Sequence, residues 1–260
     1  MWVPGQALLR VAVAAVTFAA AGAALTIAPP ESASPAAAAV LDAQQTAARA
    51  RAAVRAGRYA DALPLLERLR QINPGDHVTW RDLATTYRHL NRPADEARAW
   101  ERFMRLSPAD DDACPAIGLA YERAGQVEDA AAALQRCIDA LPEDAASRTA
   151  LAFNALRRSD PDQALALAQA ARARAPDDGQ ALFAAGLALQ RLERFRDARL
   201  YLERAVLLRD SDPEIHYALG MLDEQEGRPA EARREYGRVQ QLAPGHAEAS
   251  RRLAALAGGR

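Results

Sequence analysis

The chain has 260 residues, half of them hydrophobic and 26% charged, with a net charge of −1 at neutral pH. That balance excludes a disordered, collagen-like or nucleic-acid-coating chain. Alanine supplies a quarter of the chain and lysine is absent, so all 33 basic residues are arginine, which excludes a lysine Schiff base and a Walker-type phosphate loop. Rich in Ala and Arg and poor in β-branched and aromatic residues, the sequence reads as all-α.

Residues 1–28 read as a signal anchor or a signal peptide. Arg10 is a basic flank, and residues 11–28 carry no charge. Such a run is just long enough to span a bilayer, which fits an anchor. Ala21-Gly22-Ala23 offers a small-x-small cleavage site, which fits a signal peptide. Both readings carry the rest of the chain across the membrane. An anchor gives a single-pass inner-membrane protein with its repeats in the periplasm, touching the membrane through this helix only. Cleavage gives a soluble periplasmic protein. Residues 29–42, rich in Pro, Ala and Ser, read as a linker.

A repeat follows. Prolines recur at Pro74, Pro108, Pro142 and Pro176, 34 residues apart, and again at Pro244, two periods on, with Asp210 on the missing rung. Small residues repeat at the same period: Ala62, Ala130, Ala164, Ala198 and Ala232, broken by Glu96, and then Ala50, Ala84, Gly118, Ala152, Gly186 and Gly220. A larger row runs Leu66, Trp100, Leu134, Ala168, Leu202, Tyr236. Each unit reads as two helices. In the third, Asp111 and Asp112 can cap a helix that buries Ile117, Ala120 and Tyr121. Gly125 breaks it, and a second helix runs from about Val127 to Ala140, before Pro142. Gly118 opposite Ala130 or Leu134 lets two antiparallel helices approach closely. Stacked hairpins then share one continuous core.

W-R-D-L-A-T-T-Y at 80–87 with Pro108, Ile117-Gly118 with Tyr121, Ala130 and Pro142, and Leu219-Gly220 with Ala232 and Pro244 resemble the tetratricopeptide repeat family. The resemblance implies a right-handed α-solenoid of six units: 43–76, 77–110, 111–144, 145–178, 179–212 and 213–246. Residues 247–260 read as a capping helix and tail, with Leu253 and Leu256 inward and Arg251 and Arg252 outward. Three places depart from the family pattern. Unit one has Thr46, Arg49 and Ala53 where large apolar residues are usual, unit four has Ala155, Ala168 and Ala171, and unit six has Asp223.

No catalytic or metal-ligand motif is present, so neither an enzyme nor a cofactor is expected. His77 and His246 read as surface residues of the turns between units, and Asp110–Asp112 as caps. The resemblance implies a concave groove lined by the first helix of each unit, binding a protein or peptide. In that register units four to six present Phe153, Phe183, Leu187, Tyr217 and Met221, of which Phe153, Phe183 and Tyr217 read either as groove residues or as ordinary interhelical core. Units one to three present Arg51, Arg55, Arg81, Arg88, His89 and Arg123. One basic row runs Arg55, His89, Arg123, Arg157, Arg191 and ends at Gln225. These positions also close the first helices, where the helix dipole favours Arg. The Lys and Asn residues of the family's carboxylate clamp are absent, with Ala47, Arg51, Arg81, Thr85, Pro115 and Leu119 in their places.

Cys114 and Cys137, the only cysteines, lie near the start and the end of two antiparallel helices. They read either as a disulfide in an oxidising compartment or as two buried thiols. The expected function is an exported, membrane-tethered scaffold holding a partner in an envelope assembly or secretion process. A self-associating structural repeat protein is the alternative, so homo-oligomers stay open. No nucleic-acid partner is expected.

Overall fold

The computed structural model describes residues 35–108 and 113–258. The leader at 1–28 and the caps proposed at Asp110–Asp112 lie outside the described residues. Within them the chain is helical, with thirteen α-helices. Six hairpins follow one another: α1 (Pro35–Arg55) with α2 (Tyr59–Ile72), α3 (His77–His89) with α4 (Pro93–Leu106), α5 (Ala113–Arg123) with α6 (Val127–Ala140), α7 (Ala145–Arg157) with α8 (Pro161–Arg174), α9 (Gly179–Arg191) with α10 (Phe195–Leu208), and α11 (Pro213–Gln225) with α12 (Pro229–Leu242). The last helix is α13 (Ala247–Gly258). The expected linker at 29–42 is therefore helical from Pro35 on. Its Ala-rich second half favours helix, and proline is tolerated in the first turn. Among the described residues no helix is long and apolar enough to cross a membrane.

Two sets of turns repeat with the sequence period. Within each hairpin one residue has a positive φ: Gly57, Asn91, Gly125, Ser159, Glu193 and Gly227. The next N–H reaches back to a carbonyl in the last turn of the helix, as from Arg58 to Ala53 and from Arg194 to Leu189, both at 2.9 Å. That is a left-handed C-terminal cap, which glycine enters without steric cost and other residues do not. Between hairpins an aspartate caps the next helix. Asp76, Asp144, Asp178 and Asp212 accept from the N–H of Val78, Ala146, Gln180 and Glu214 at 2.8–3.2 Å. At the sixth place, before α13, His246 does the same work, accepting from Ala249 N–H through Nδ1 at 3.1 Å. It is thus a helix cap rather than a plain surface residue.

Small residues face large ones across each hairpin. A Cβ on Gly118 would fall 2.8 Å from Leu134, on Gly186 2.7 Å from Leu202, and on Gly220 2.5 Å from Tyr236. Those separations are well inside contact, so the glycines set how closely the paired helices approach. Ala152 and Ala168, both fully buried, stand at the same two places in unit four. Its low bulk is a helix pair with a small residue on both sides. Of the unusual residues of unit one, Thr46 and Ala53 are buried with Ala50 and form a core face, whereas Arg49 is exposed. Cys114 of α5 and Cys137 of α6 are disulfide-bonded, with Cα atoms 5.9 Å apart.

From α2 to α13 each helix packs on the next in sequence, and Ala50 and Ala53 of α1 share a core cluster with Ala62 and Leu66 of α2. In addition α5, α7, α9 and α11 touch one another in order. From α5 on, the first helices thus form the inner layer and the second helices the outer one. The capping helix α13 closes the stack through Leu253 and Leu256. Arg252, expected to point outward, turns in. It donates to Tyr217 Oη at 3.2 Å and to Glu224 at 2.8 Å, while Arg251 stays exposed.

Candidate functional site: the inner face

The inner layer exposes one side of α5, α7, α9 and α11, the 34-residue register extends that side to α3 and α1, and the expected groove residues divide there into three groups. The first is the basic row at the helix ends. Arg123 donates to Glu96 at 2.8 Å, and Arg88 meets the same carboxylate at 2.6 Å. Arg157 pairs with Glu122 at 3.2 Å. Arg191 donates to the Leu156 carbonyl, and Gln190 to Gln225 at 2.7 Å. His89 stacks on Tyr59, with ring centroids 4.0 Å apart. From Arg123 onward each arginine reaches back to the unit before it. The row therefore stitches neighbouring units, a role beyond pairing with its own helix dipole.

The second group is the aromatic set. Phe183 is 8% exposed and belongs to the central core cluster. Its ring lies 5.7 Å from that of Phe153. Tyr217 packs against Tyr236 and His246, with Arg252 on its hydroxyl. Phe183 sits one helical turn before the open row and fills the space between α7 and α9, so it presents little surface to a partner.

The third group is open. Leu119, Phe153, Leu187 and Met221 stand 34 residues apart in one register. Leu119 is 51% exposed and the other three are half-buried. Leu119 entered the sequence reading only as a missing clamp residue. Its 34-residue spacing from Phe153 was the available signal that it belongs to this row. The same register continues through Thr85 to Arg51. Arg51, Arg55 and Arg81 are exposed and form no ion pair among the described residues. Burial pushes the nearby Asp82 carboxyl above the usual aspartate range, against the pull of Arg81, Arg51 and Arg55.

Polar residues elsewhere in the stack are structural. Glu96, 1% exposed, replaces the small residue of its row because Arg88 and Arg123 neutralise it. Asp223 is likewise buried, between Arg199 at 2.7 Å and Arg228 at 3.1 Å. His216 is buried between Glu235, 2.8 Å from Nδ1, and the Asp210 carbonyl, 3.0 Å from Nε2. The Glu235 hydrogen bond raises the imidazole above its usual range, against desolvation. Among the described residues no group of three or more His, Cys, Asp or Glu is placed to hold a metal ion. Away from the groove a cleft of about 440 Å³ opens between α4, α5 and α6. Met104, Ile117, Ala133 and Cys137 line it, and it contains none of the expected groove residues.

Family models described as tetratricopeptide repeat match residues 41–86, and 116–178, 149–214 and 183–247. No curated protein matches the chain by sequence. Among solved structures it is similar to TTC0263, a thermophilic TPR protein of Thermus thermophilus. That match has 23% identity and a TM-score of 0.59, over 70% of this chain and 98% of that one. It is similar to PilW, a type IV pilus biogenesis factor, at 13% identity and a TM-score of 0.62, over 83% and 98%. In the Cut9–Hcn1 hetero-tetramer of APC/C the likeness has 17% identity and a TM-score of 0.65. It covers 82% of this chain but only 42% of that one.

Proposed function

The chain belongs to the tetratricopeptide repeat family, and from that premise we propose that it is an exported scaffold holding a segment of a partner protein along its inner face. The observation that carries this is the open row Leu119, Phe153, Leu187 and Met221 on consecutive inner helices. Apolar side chains left partly exposed in line, with polar links on either side, fit a docking strip. Inner faces of repeat stacks are suited to long segments because each unit adds one rung. No step of chemistry is assigned to the protein, and its role is to hold.

The export reading is supported by the basic flank and apolar run of residues 1–28. The Cys114–Cys137 bond supports it too, since such bonds persist in oxidising compartments. Tethering through the leader, or release by cleavage, places the repeats in the periplasm. That location would suit a role in an envelope assembly or secretion process. Likeness in fold to a pilus biogenesis factor is in keeping with it. The test is a pair of fusions after Arg260. Alkaline phosphatase should be active there, and a fluorescent protein that matures only in the cytoplasm should be dark. The opposite pattern ends the export reading.

A second reading, self-association, rests on Leu200 and Leu207 on the outer side of α10, 66% and 84% exposed. Light scattering on the purified chain decides it. A monomer at every concentration tested removes it, and a dimer abolished by Leu207→Glu supports it.

A further inference from the structure

The proposed inner-face site is chemically unequal along its length, and this bears on what it can hold. From units three to six the open row is apolar. In units one and two the same face carries Arg51, Arg55 and Arg81. Arg51 and Arg55 lie one turn apart on α1, and Arg81 lies on α3, which packs against the same hairpin. Asp82, beside Arg81 on α3, forms an ion pair with none of the three among the described residues.

The contrast with the other arginines of this face gives the cluster its meaning. Arg88, Arg123 and Arg157 are held by Glu96 and Glu122, and Arg191 by a backbone carbonyl. The charges of Arg123, Arg157 and Arg191 join units, and that of Arg88 is taken up by Glu96 of its own unit. Those of Arg51, Arg55 and Arg81 have no carboxylate partner among the described residues. At the far end the charge is matched within the protein: Glu224 pairs with Arg252 at 2.8 Å. The face therefore runs from unpaired cation, through an apolar row, to a neutral pair.

We infer that the segment held on the inner face carries a cluster of carboxylates at the end meeting units one and two, and apolar side chains along units three to six. This rests on the inner-face reading above. Guanidinium groups take carboxylates in paired hydrogen bonds, which fixes direction as well as affinity. Neighbouring packed helices lie roughly 10 Å apart. A segment in the polyproline-II conformation advances about 3.1 Å per residue with three residues per turn, so apolar residues at every third position share one side and would meet successive rungs. The apolar contacts supply affinity, and the arginine cluster sets polarity and speeds encounter.

The test is selection of a displayed library of random peptides, each roughly 16 residues and so long enough in extended form to reach from the arginine cluster across the apolar row, on the purified repeat region, leader removed and disulfide intact. Selected peptides should combine an acidic cluster with apolar residues at regular spacing. Their binding should weaken as salt rises. The Arg51→Glu/Arg55→Glu/Arg81→Glu variant, shown folded by circular dichroism, should bind them about tenfold or more weakly. It should also bind copies with Lys in place of the acids better than the parent protein does. Peptides without acids that are released by Leu119→Asp overturn this inference and leave the inner-face site standing. Selected peptides insensitive to both variants, or no selected peptide at all, overturn the inner-face reading and this inference with it.

Discussion

Glu96 and Arg123 belong to different units, 27 residues apart, and are joined by a 2.8 Å ion pair across the boundary between α4 and α5. The carboxylate is 1% exposed, whereas the Arg123 side chain is 33% and its second partner Arg88 41% exposed. That asymmetry decides which deletion hurts. Arg88→Ala with Arg123→Ala leaves a buried carboxylate unpaired and should cost about 3–5 kcal/mol. Glu96→Ala restores the small residue found at that place in the other units and frees two arginines that already reach water. Its cost should be below about 1 kcal/mol. Urea denaturation of the three proteins checks the order, and a Glu96→Ala cost equal to that of the double variant would contradict it.

The left-handed turn residues give a second prediction. Ser159 and Glu193 hold φ of 61° and 58° at places where Gly57, Gly125 and Gly227 serve elsewhere. A side chain in that conformation costs about 1–2 kcal/mol. Glu193→Gly and Ser159→Gly should each raise stability by about 1 kcal/mol, less the entropy that glycine adds to the unfolded chain. Gly125→Ala should lower it by a similar amount. Thermal melts at fixed pH read the effect.

His216 ties the turn at Asp210 to Glu235 of α12, and Asp210 is also held by Arg238 at 2.7 Å. This is the rung where Asp stands in place of the proline. The imidazole is raised above its ordinary value of 6.5. A raised base stabilises the fold while protonated. Its contribution is full below the unfolded value and is lost as pH rises through the folded one. The melting temperature of the protein minus that of His216→Gln should therefore shrink as pH rises above the ordinary imidazole value. A difference that grows with pH would contradict the assignment.

The 34-residue period, the paired helices and the close approach at Gly118 and Gly220 could all be read from the sequence. Each depends on one residue and its neighbour one helix away. The fate of the arginines could not be read in the same way. Whether Arg123 faces a ligand or Glu96 depends on a carboxylate in the preceding unit. Phe183 and Leu187 differ by one helical turn, yet the first fills the core and the second reaches the surface. Depth of this kind is set by how neighbouring units stack, which the pattern within one unit does not contain. The aspartates Asp76, Asp144, Asp178 and Asp212 and the left-handed turns were periodic as well, but their work is visible only in the backbone geometry.

The most direct test of an inner-face scaffold is site-specific photocrosslinking in the living source cells. A photoreactive residue is placed at Leu119 or Leu187 on the inner helices, or at Leu200 or Leu207 on the outer side of α10. All four positions retain side-chain exposure. The inner positions should give one shared partner adduct and the outer positions none. Adducts from the outer positions with none from the inner ones would contradict the account.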